Sequence, residues 1–326
     1  MTKYCKDCGE ELNMLNIAMC IKCSDPLCET CATSNKFMCK ECNPSQKTIV
    51  DLEFIRRSHI EDYKDCPYYF YLQVIKGIEV PANIYAHVGI ELHDLYDKHQ
   101  KGEISLSEVR SKTTEAILSC RGKWDDELVD KLAIKAEKCT VAYEGLHDKL
   151  PGKLVTTEQT LFINIKEGLP KVRITMDMIR EDEEGNLHIY DYKTGKVMVG
   201  QHLATNLQVP LYIKAVQDNY GKPVKSFTLL YLSEGKERVY KHVEGDKYEC
   251  TVKKRVYKVS IDQTIKEVQS IFGKIKGAKF NIPDRPNFFK CNNCYFREIG
   301  RCEGAERQKW INSNGKEEEF VWGIKS

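Results

Sequence analysis

Hydrophobic residues recur every three or four positions between residues 84 and 149, which is the spacing of helices with one buried face. Residues 84–100 place Val88, Leu92 and Leu95 on one apolar stripe. Residues 107–149 continue the pattern, with many Lys and Glu residues between the apolar positions. The pattern predicts a mostly helical region in this part of the chain.

The period changes to two in the next part of the chain, as is typical of strands. Residues 154–165, 171–180 and 187–193 alternate and are rich in Val, Ile, Thr and Tyr. The segment 184–186, Glu-Gly-Asn, is a turn signal between the last two of them. We therefore expect three strands, of which the last two form a hairpin.

Helical and strand-like patterns follow one another after this hairpin. A helix is predicted from about Leu203 to Tyr220, with Gly221 as its stop. The apolar run 225–233 predicts a buried strand, and 237–259 predicts two more strands.

A last helix is predicted to begin at Ser260, where Gln263 completes a capping box, and to end near Gly277. The order of elements is therefore helix, three strands, helix and strand. This order predicts an α/β fold, a mixed sheet with helices packed on it.

The composition is that of a soluble intracellular protein. Of 326 residues, 30% are charged, and the mean hydropathy is −0.49. We find no apolar run long enough to span a bilayer, and the cysteine-rich start lacks the apolar core of a signal peptide. We expect a cytoplasmic protein without membrane contact, in a reducing compartment where paired cysteines favour metal over disulfides.

Eight of the 15 cysteines form four C-x2-C pairs in residues 1–44. These are Cys5, Cys8, Cys20, Cys23, Cys28, Cys31, Cys39 and Cys42. The segment has few large apolar residues, so it needs metal to fold. We expect a small double zinc-binding module holding two Zn²⁺, then a main domain over 45–310 and a tail over 311–326.

Spacings of 11, 4 and 7 residues between these pairs resemble cross-braced RING- and FYVE-like modules. There, pairs one and three bind one zinc, and pairs two and four bind the other. Two sequential zinc ribbons are the alternative. We expect the module to dock a protein or DNA. Because no phosphate-binding helicase motif is present, unwinding would need a helicase partner.

Candidate chemistry lies on the hairpin. Asp191 and Lys193 are two residues apart in a strand and therefore point to the same face, and Asp177 lies on the preceding strand. Two carboxylates can hold a divalent metal and an ammonium can orient water, as phosphodiester hydrolysis requires. A solvated face of alternating charges is the alternative interpretation. Glu158, on the first strand, could be a supporting acid, but it is interpreted as no more than an exposed strand residue.

Six short motifs follow one another along the chain. They are Tyr63-x2-Cys66-Pro67, Gly89-x3-His93, Ile174-Thr-Met-Asp177, Asp191-Tyr-Lys193-Thr-Gly195, Gln208-x3-Tyr212 and Cys291-x2-Cys294-x7-Cys302. In this order they resemble the RecB-like branch of the PD-(D/E)XK nuclease superfamily, over about residues 55–305. The resemblance implies a restriction-endonuclease-like fold and a Mg²⁺- or Mn²⁺-dependent deoxyribonuclease. One departure is Ile174, where relatives often carry glycine.

The resemblance also implies roles for individual residues. The metal ligands would be His93, Asp177, Asp191 and the carbonyl of Tyr192. The imidazole shifts the preference from Mg²⁺ towards Mn²⁺. Lys193 would orient or help deprotonate the attacking water and stabilise the transition state. Gln208 and Tyr212 lie on the same side of one helix, where Gln208 would position DNA or water and Tyr212 would contact DNA.

A second metal centre is implied by cysteines at the two ends of the main domain. Iron–sulfur nucleases of the AddB and CRISPR-adaptation type hold a [4Fe–4S] cluster with one early and three late cysteines. The matching residues here are Cys66, Cys291, Cys294 and Cys302. The gap of seven residues before Cys302 is longer than is common, and zinc in the same four positions is the alternative. The expected role is structural.

A basic region could bind the substrate. Residues 214–290 carry 17 Lys or Arg against nine Asp or Glu, and Lys253, Lys254 and Arg255 lie between apolar residues. Such a surface can follow a nucleic-acid backbone without reading its sequence. The main expectation is an exonuclease acting on single-stranded or duplex DNA ends in repair, recombination or foreign-DNA processing. A structure-specific endonuclease and a non-cutting nucleic-acid-binding scaffold are the alternatives.

Overall fold

The computed structural model describes residues 3–5, 11–12, 17–19, 26–28, 32, 52–283, 290–291 and 294–302. In the N-terminal module, strand β1 (Lys3–Tyr4) pairs with β2 (Glu11–Leu12), and β3 (Ile17–Met19) pairs with β4 (Pro26–Cys28). Cys5 and Cys28 are buried in a small cluster with Leu27. The other six predicted zinc ligands and the tail over 311–326 lie outside the described residues.

Helices account for most of the chain from residue 57 to residue 146. They are α1 (Arg57–Asp65), α2 (Pro67–Phe70) with a π-helical continuation over Tyr71–Ile75, α3 (Ile84–Gln100), α4 (Leu106–Leu118) and α5 (Asp126–Leu146). Each of the last three begins at a capping residue whose side chain accepts a hydrogen bond from a backbone N–H of the first turn; these residues are Asn83, Ser105 and Asp125. The predicted helical region is therefore confirmed, and capping residues divide it.

One mixed sheet forms the centre of the main domain. Its strands are β5 (Phe54–Arg56), β6 (Lys153–Ile163), β7 (Lys171–Glu181), β8 (Leu187–Lys193), β9 (Val224–Tyr231), β10 (Lys236–Glu244), β11 (Lys247–Val252) and β12 (Arg255–Ser260). Strands β12 to β7 are neighbours in descending order, and β7 also pairs with β5 and β6. The pairs β8–β9 and β5–β7 are parallel, and the others are antiparallel.

The remaining helices are α6 (His202–Thr205), α7 (Gln208–Tyr220), α8 (Ile261–Lys276) and α9 (Tyr295–Glu298). Two predictions need correction here. The helix expected from Leu203 is interrupted at Asn206, whose extended backbone ends α6 and whose side chain accepts from the N–H groups of Gln208 and Val209. Residues 237–259 contain most of three strands, because a two-residue turn divides the second of the expected strands.

Helices pack on both sides of the sheet, as predicted. One hydrophobic cluster joins the sheet to α1, α7 and α8, and a second joins it to α3, α4 and α5. In β8, Ile189 belongs to the first cluster, whereas Tyr190 and Tyr192 belong to the second. Asp191 and Lys193 therefore share the face of Ile189. None of the described helices has the length and apolar character needed to cross a bilayer.

Candidate active site

Two carboxylates meet at the centre of the β7–β8 hairpin. The register pairs Met178 with Tyr190, so Asp177 and Asp191 come next on facing strands. Both are buried, with exposures of 9% and 3%. The backbone N–H of Tyr192 donates to Asp177 Oδ2 at 2.5 Å, which fixes that carboxylate. The hairpin predicted from the turn at 184–186 thus brings the two acids together.

Lys193 and Gln208 hold the second carboxylate from two sides. Lys193 Nζ lies 2.5 Å from Asp191 Oδ2. Gln208 is the first residue of α7, and its Nε2 donates to Asp191 Oδ1 at a distance of 2.5 Å. Gln208 is buried, whereas the Lys193 side chain retains 29% of its exposure. Lys193 is therefore the member of this group that faces open space.

His93 reaches the site from α3. Its Nδ1 atom lies 3.2 Å from Asp177 Oδ1 and 3.7 Å from Glu158 Oε1. The stripe of Val88, Leu92 and Leu95 buries the opposite face of α3 and so orients the imidazole. One turn earlier, a Cβ at Gly89 would lie 3.6 Å from Thr194 Oγ1, so α3 passes close to the end of β8. The Gly89-x3-His93 motif is thus placed beside the hairpin.

Glu158 is the residue that sequence reasoning placed wrongly. Its side chain is only 29% exposed and points to His93 instead of lying on a solvated strand face. Its φ of +43° is a left-handed irregularity of the backbone, which is rare for a residue with a Cβ. The strand register continues on both sides, with Thr157 opposite Met178 and Gln159 opposite Met176, so Glu158 lies opposite Asp177 on β7. The period-two pattern carries no signal for such an irregularity.

Burial and mutual charge shift the pKa values of these groups in opposite directions. Burial opposes the charged form of His93, but Asp177 and Glu158 outweigh it and raise its pKa to about 10. Although burial also opposes charge on Asp177, His93 and Lys193 hold its pKa below the usual value. Burial raises the pKa of Asp191, and repulsion by Asp177 adds to this effect against the attraction of Lys193. Such divergence is common at catalytic sites.

The ligand atoms of His93, Glu158 and Asp177 lie within 4.8 Å of one another. One imidazole nitrogen and two carboxylate oxygens suit Mn²⁺ and Mg²⁺. This donor set fits a divalent cation, and it includes Glu158 where the resemblance implies Asp191. Asp191 is close enough to feel the charge of Asp177, but its oxygens contact Lys193 and Gln208.

Tyr212 and Arg57 form the floor of the site. Tyr212 is only 7% exposed and packs edge-on against Phe227, so its predicted contact with DNA has little ring surface available. Arg57 was not predicted, and its guanidinium lies 6.0 Å from the Tyr212 ring centre. Burial opposes its charge, yet Glu61, Tyr212 and Asp191 together raise the pKa of Arg57. A partly buried cation, with 23% of its side-chain surface exposed, therefore lies within electrostatic range of Asp191.

The four cysteines of the predicted second centre come from both ends of the main domain. Cys66 ends α1 and accepts from the N–H of Tyr69 at 3.4 Å. Burial raises the pKa of Cys66, and the nearby thiols of Cys294 and Cys302 raise it further. Burial and the other three thiols raise the pKa of Cys291 to about 11. The fold therefore brings one early and three late thiols together.

The late segment contacts α1 and α2 through further pairs. Lys290 pairs with Asp65, and the rings of Tyr69 and Phe296 meet edge-on at 4.9 Å between centres. Each of these four residues lies within three positions of one of the cysteines in the sequence, so the contacts hold the early and the late segment together. The predicted basic residues Lys253, Lys254 and Arg255 are exposed at the turn between β11 and β12.

Comparison with known proteins gives one family match. The family model described as "PD-(D/E)XK nuclease superfamily" matches residues 57–301, three quarters of the chain. No match was found among curated proteins. A solved structure titled "Crystal structure of SSO0001" is similar, with 14% identity over 68% of this chain and 99% of that chain, at a TM-score of 0.32. The family assignment comes from the family model.

Proposed function

Because this chain belongs to the PD-(D/E)XK nuclease superfamily, we propose that it is a divalent-metal-dependent deoxyribonuclease that hydrolyses phosphodiester bonds at DNA ends. The main support is one group of side chains: two buried carboxylates, Asp177 and Asp191, with Lys193 on one side and His93 on the other. Hydrolysis of a phosphodiester needs a cation site next to a group that can orient water, and this arrangement offers both.

The metal would be held by His93, Glu158 and Asp177, with Asp191 and the Tyr192 carbonyl as further candidates. A bound Mg²⁺ or Mn²⁺ would supply positive charge to the non-bridging phosphate oxygens. The main-chain bond from Tyr192 and the contact with His93 orient Asp177 before any ligand arrives. This preorganisation lowers the cost of rearrangement during the reaction.

Lys193 is placed to handle the attacking water. Its ammonium is partly exposed and anchored to Asp191, so it can donate to a water or to a phosphate oxygen without leaving its partner. Asp191, whose pKa is raised by burial and by Asp177, is suited to accept a proton from that water. Gln208 keeps the Asp191 carboxylate in one orientation. Gln208 is thus proposed as a positioning residue.

Cutting can be tested on end-labelled linear DNA and on circular DNA, with protein purified anaerobically and supplied with Mg²⁺ or Mn²⁺. Wild type should degrade linear DNA, and Asp191→Ala or Lys193→Ala should lower the rate at least about a hundredfold. Lys225→Ala, an exposed lysine at the start of β9, is the matched control. Equal rates for wild type and both active-site variants would reject the site.

The same assay separates the alternative functions. Degradation restricted to linear DNA supports an exonuclease. Nicking or cutting of the circular form supports a structure-specific endonuclease with the same chemistry. Binding without cutting by wild type, under every metal, would favour the non-cutting scaffold. The buried pair of carboxylates is the observation against a scaffold, because a binding surface alone has no use for two acids removed from water.

A [4Fe–4S] cluster is proposed for Cys66, Cys291, Cys294 and Cys302. Its support is the match of one early and three late cysteines, whose thiols lie close enough to raise the pKa values of Cys66 and Cys291. Tetrahedral zinc in the same four positions is the alternative. The N–H of Tyr69 would stabilise the Cys66 thiolate.

Iron and acid-labile sulfide analysis of anaerobically purified protein tests the cluster. Wild type should contain both elements, and Cys294→Ser should lose them. A zinc-loaded, iron-free wild type from iron-replete cells would refute the assignment.

The N-terminal module is proposed to hold two Zn²⁺ and to dock a protein, such as a helicase, or DNA. Zinc analysis of the isolated residues 1–44 addresses that proposal.

A further inference from the structure

Two troughs lie on either side of the segment that follows Lys193. The first, of about 330 Å³, lies between α5 and Gly195–Lys196. The second, of about 980 Å³, lies between residues 196–200, β10 and the β11–β12 turn. Lys196 and Glu234 line both troughs. The two are therefore neighbours that share a boundary, and this boundary is three residues from Lys193.

Positive charge dominates both troughs. Lys131, Lys135 and Lys138 recur at helical spacing on the side of α5 that faces the first trough. The basic residues of the second trough come from three segments and are Lys196, Lys236, Arg238, Lys253 and Arg255. Among the lining residues, the acidic side chain is Glu234.

Glu234 has partners within the protein. Its Oε1 accepts from the N–H of Val197 at 3.1 Å, and its Oε2 contacts Lys236 at 3.0 Å. Burial plays little part at this exposed group, and the contacts with Lys236 and Val197 lower its pKa. Glu234 therefore fixes the segment after Lys193, and its negative charge is largely compensated.

Several of the cations have no such compensation. Within the described part of the chain, no ion pair involves Lys135, Lys138, Lys196, Lys253 or Arg255. Lys131, which lines the first trough as well, does have a partner, because Glu127 lies four residues away on the same helix. Unpaired cations on both sides of one boundary concentrate positive potential there.

The turn at the far end of the second trough is strained. Lys253 and Lys254 are the two central residues of a two-residue hairpin loop, and their φ angles are +48° and +67°. A loop of this kind favours Asn-Gly, and residues with longer side chains are costly there. Two lysines occupy a place where glycine would be more stable. This points to a use for their charge.

Apolar side chains lie among the cations. Val199 is 59% exposed and Ile134 is 57% exposed, and each lines one of the troughs. Tyr257 is partly buried along the second trough. At Gly195, whose φ is not positive, nothing lies within 4 Å of an added Cβ, so the boundary has room for a ligand. Duplex DNA hides its bases, whereas a single strand exposes apolar base faces beside its phosphates.

We propose that the two troughs form one track for a single nucleic-acid strand, which passes over Gly195–Lys196 beside the catalytic strand β8. Val199, Ile134 and Tyr257 contact bases. The unpaired cations bind successive phosphates, and they are Lys135, Lys138, Lys196, Lys253 and Arg255. The track rests on the proposed nuclease function, because it gives a substrate class to that same site. It extends the basic surface from the β11–β12 turn across to α5.

Binding of a fluorescein-labelled single-stranded oligonucleotide, measured by anisotropy without added divalent metal, tests the track on the full chain. Lys135→Glu/Lys138→Glu alters the first trough, and Lys253→Glu/Arg255→Glu alters the second. Each pair should weaken binding at least about tenfold and reduce the dependence of log affinity on log salt by about one to two. The control pair Lys149→Glu/Lys225→Glu, two exposed lysines outside both troughs, should stay within about twofold of wild type.

Three results would overturn the track. The first is unchanged affinity in both trough pairs. The second is equal loss in the control pair, which indicates non-specific charge. The third is equally strong competition by a blunt duplex of the same sequence. If a charge-reversed pair fails to fold, Lys135→Gln/Lys138→Gln and Lys253→Gln/Arg255→Gln decide the outcome, with unchanged unfolding midpoints as the criterion of folding.

A separate assay distinguishes failure of the track from failure of the nuclease function. Wild type is tested with Mn²⁺ on a small chromogenic phosphodiester that is too short to occupy the troughs. Cleavage by wild type together with unchanged strand binding in the variants rejects the track and keeps the nuclease. Loss of strand binding in the variants without any cleavage by wild type keeps the track and rejects the nuclease.

Discussion

At the scale of single residues, Glu158 has the least expected position in the site. Its left-handed backbone conformation costs about 1–3 kcal/mol for a residue with a side chain. That strain turns its carboxylate towards His93 and Asp177. Strained residues that persist near a catalytic centre are commonly those that the reaction uses. Glu158 is therefore a better candidate for a metal ligand than its strand pattern suggested.

Glu158→Gln should weaken metal binding about tenfold or more, because an amide oxygen is a neutral and weaker ligand for a divalent cation. Titration of the metal-free protein with Mn²⁺, followed by calorimetry, measures the loss. Glu167→Gln, in the exposed connection between β6 and β7, is the control and should match wild type. Unchanged affinity in Glu158→Gln would remove this residue from the ligand set.

His93 should make metal binding dependent on pH. Its pKa of about 10 in the metal-free protein means that it carries a proton at pH 7 to 9, whereas a metal ligand must be neutral. Binding therefore releases this proton, and affinity should rise about tenfold per pH unit up to pH 10. Calorimetry of Mn²⁺ binding in buffers of different ionisation enthalpy counts the protons released.

His93→Gln should bind metal more weakly and release about one proton fewer than wild type. Its affinity should be correspondingly flatter over the same pH range. The same proton release in wild type and variant would show that His93 is not a ligand. Asp177, with its lowered pKa, is already ionised across this range and cannot be the source of the proton.

At the scale of elements, turns and caps decided what hydrophobic periodicity left open. The interruption at Asn206 places Gln208 at the first position of α7, where its side chain reaches Asp191. In the single uninterrupted helix that was predicted, a preceding turn of helix would lie directly before Gln208. Lys253 and Lys254 similarly form a tight turn where a continuous strand was expected. The sequence carried no sign of this turn, because lysine is not a usual turn residue.

The strained lysine turn gives a prediction at this scale. Lys253→Asn/Lys254→Gly should raise the free energy of unfolding by about 1–2 kcal/mol, because both residues then suit positive φ angles. The same change removes two cations at the proposed track and should weaken binding of a single strand. Chemical denaturation measures the first effect and fluorescence anisotropy the second.

Opposite signs for stability and binding are the outcome that supports a functional reason for the strain. Lys253→Gln/Lys254→Gln is the matched control: it removes the charges but keeps the strain, so it should weaken binding without stabilising the fold. Stabilisation by Asn-Gly together with full binding would contradict a role for this turn in holding nucleic acid.

At the scale of the whole molecule, the proposed cluster would close the main domain by joining segments that are far apart in the chain. Cys66 follows α1, and the three late cysteines come after α8. A cross-link over such a distance restricts the unfolded chain and stabilises the fold, provided that it introduces no strain. Arg57 lies on the same helix α1, 6.0 Å from the Tyr212 ring. The proposed closure would therefore also restrain the helix that carries Arg57.

This closure predicts non-additive losses. Cys66→Ser and Cys294→Ser should each lower the free energy of unfolding by several kcal/mol, about as much as the loss of a long-range cross-link. The free energy of unfolding of the double variant should lie within about 0.5 kcal/mol of that of the less stable single variant, because either change already removes the same link. Anaerobic denaturation of the three variants tests this. Additive losses would mean that the two thiols act independently.

The sequence alone determined most of the secondary structure, and it pointed to five residues of the proposed site. Periodicity located strands β6 to β9 and helix α8 to within a few residues, because a pattern of buried positions is local information. The order of motifs predicted His93, Asp177, Asp191, Lys193 and Gln208, which the fold brings into one group. An Asp-x-Lys triplet alone does not identify a catalytic site, so the chemical roles of these residues were inferred from the resemblance to the family.

Only the tertiary structure decided how these residues face one another. The position of Glu158 depends on a left-handed backbone conformation within β6, and that of Arg57 on the packing of α1 against α7. The two basic troughs combine α5 with a turn more than a hundred residues later, so no window of sequence contains them. Local patterns specify which faces are buried, whereas charge and strain act between segments that meet only after folding.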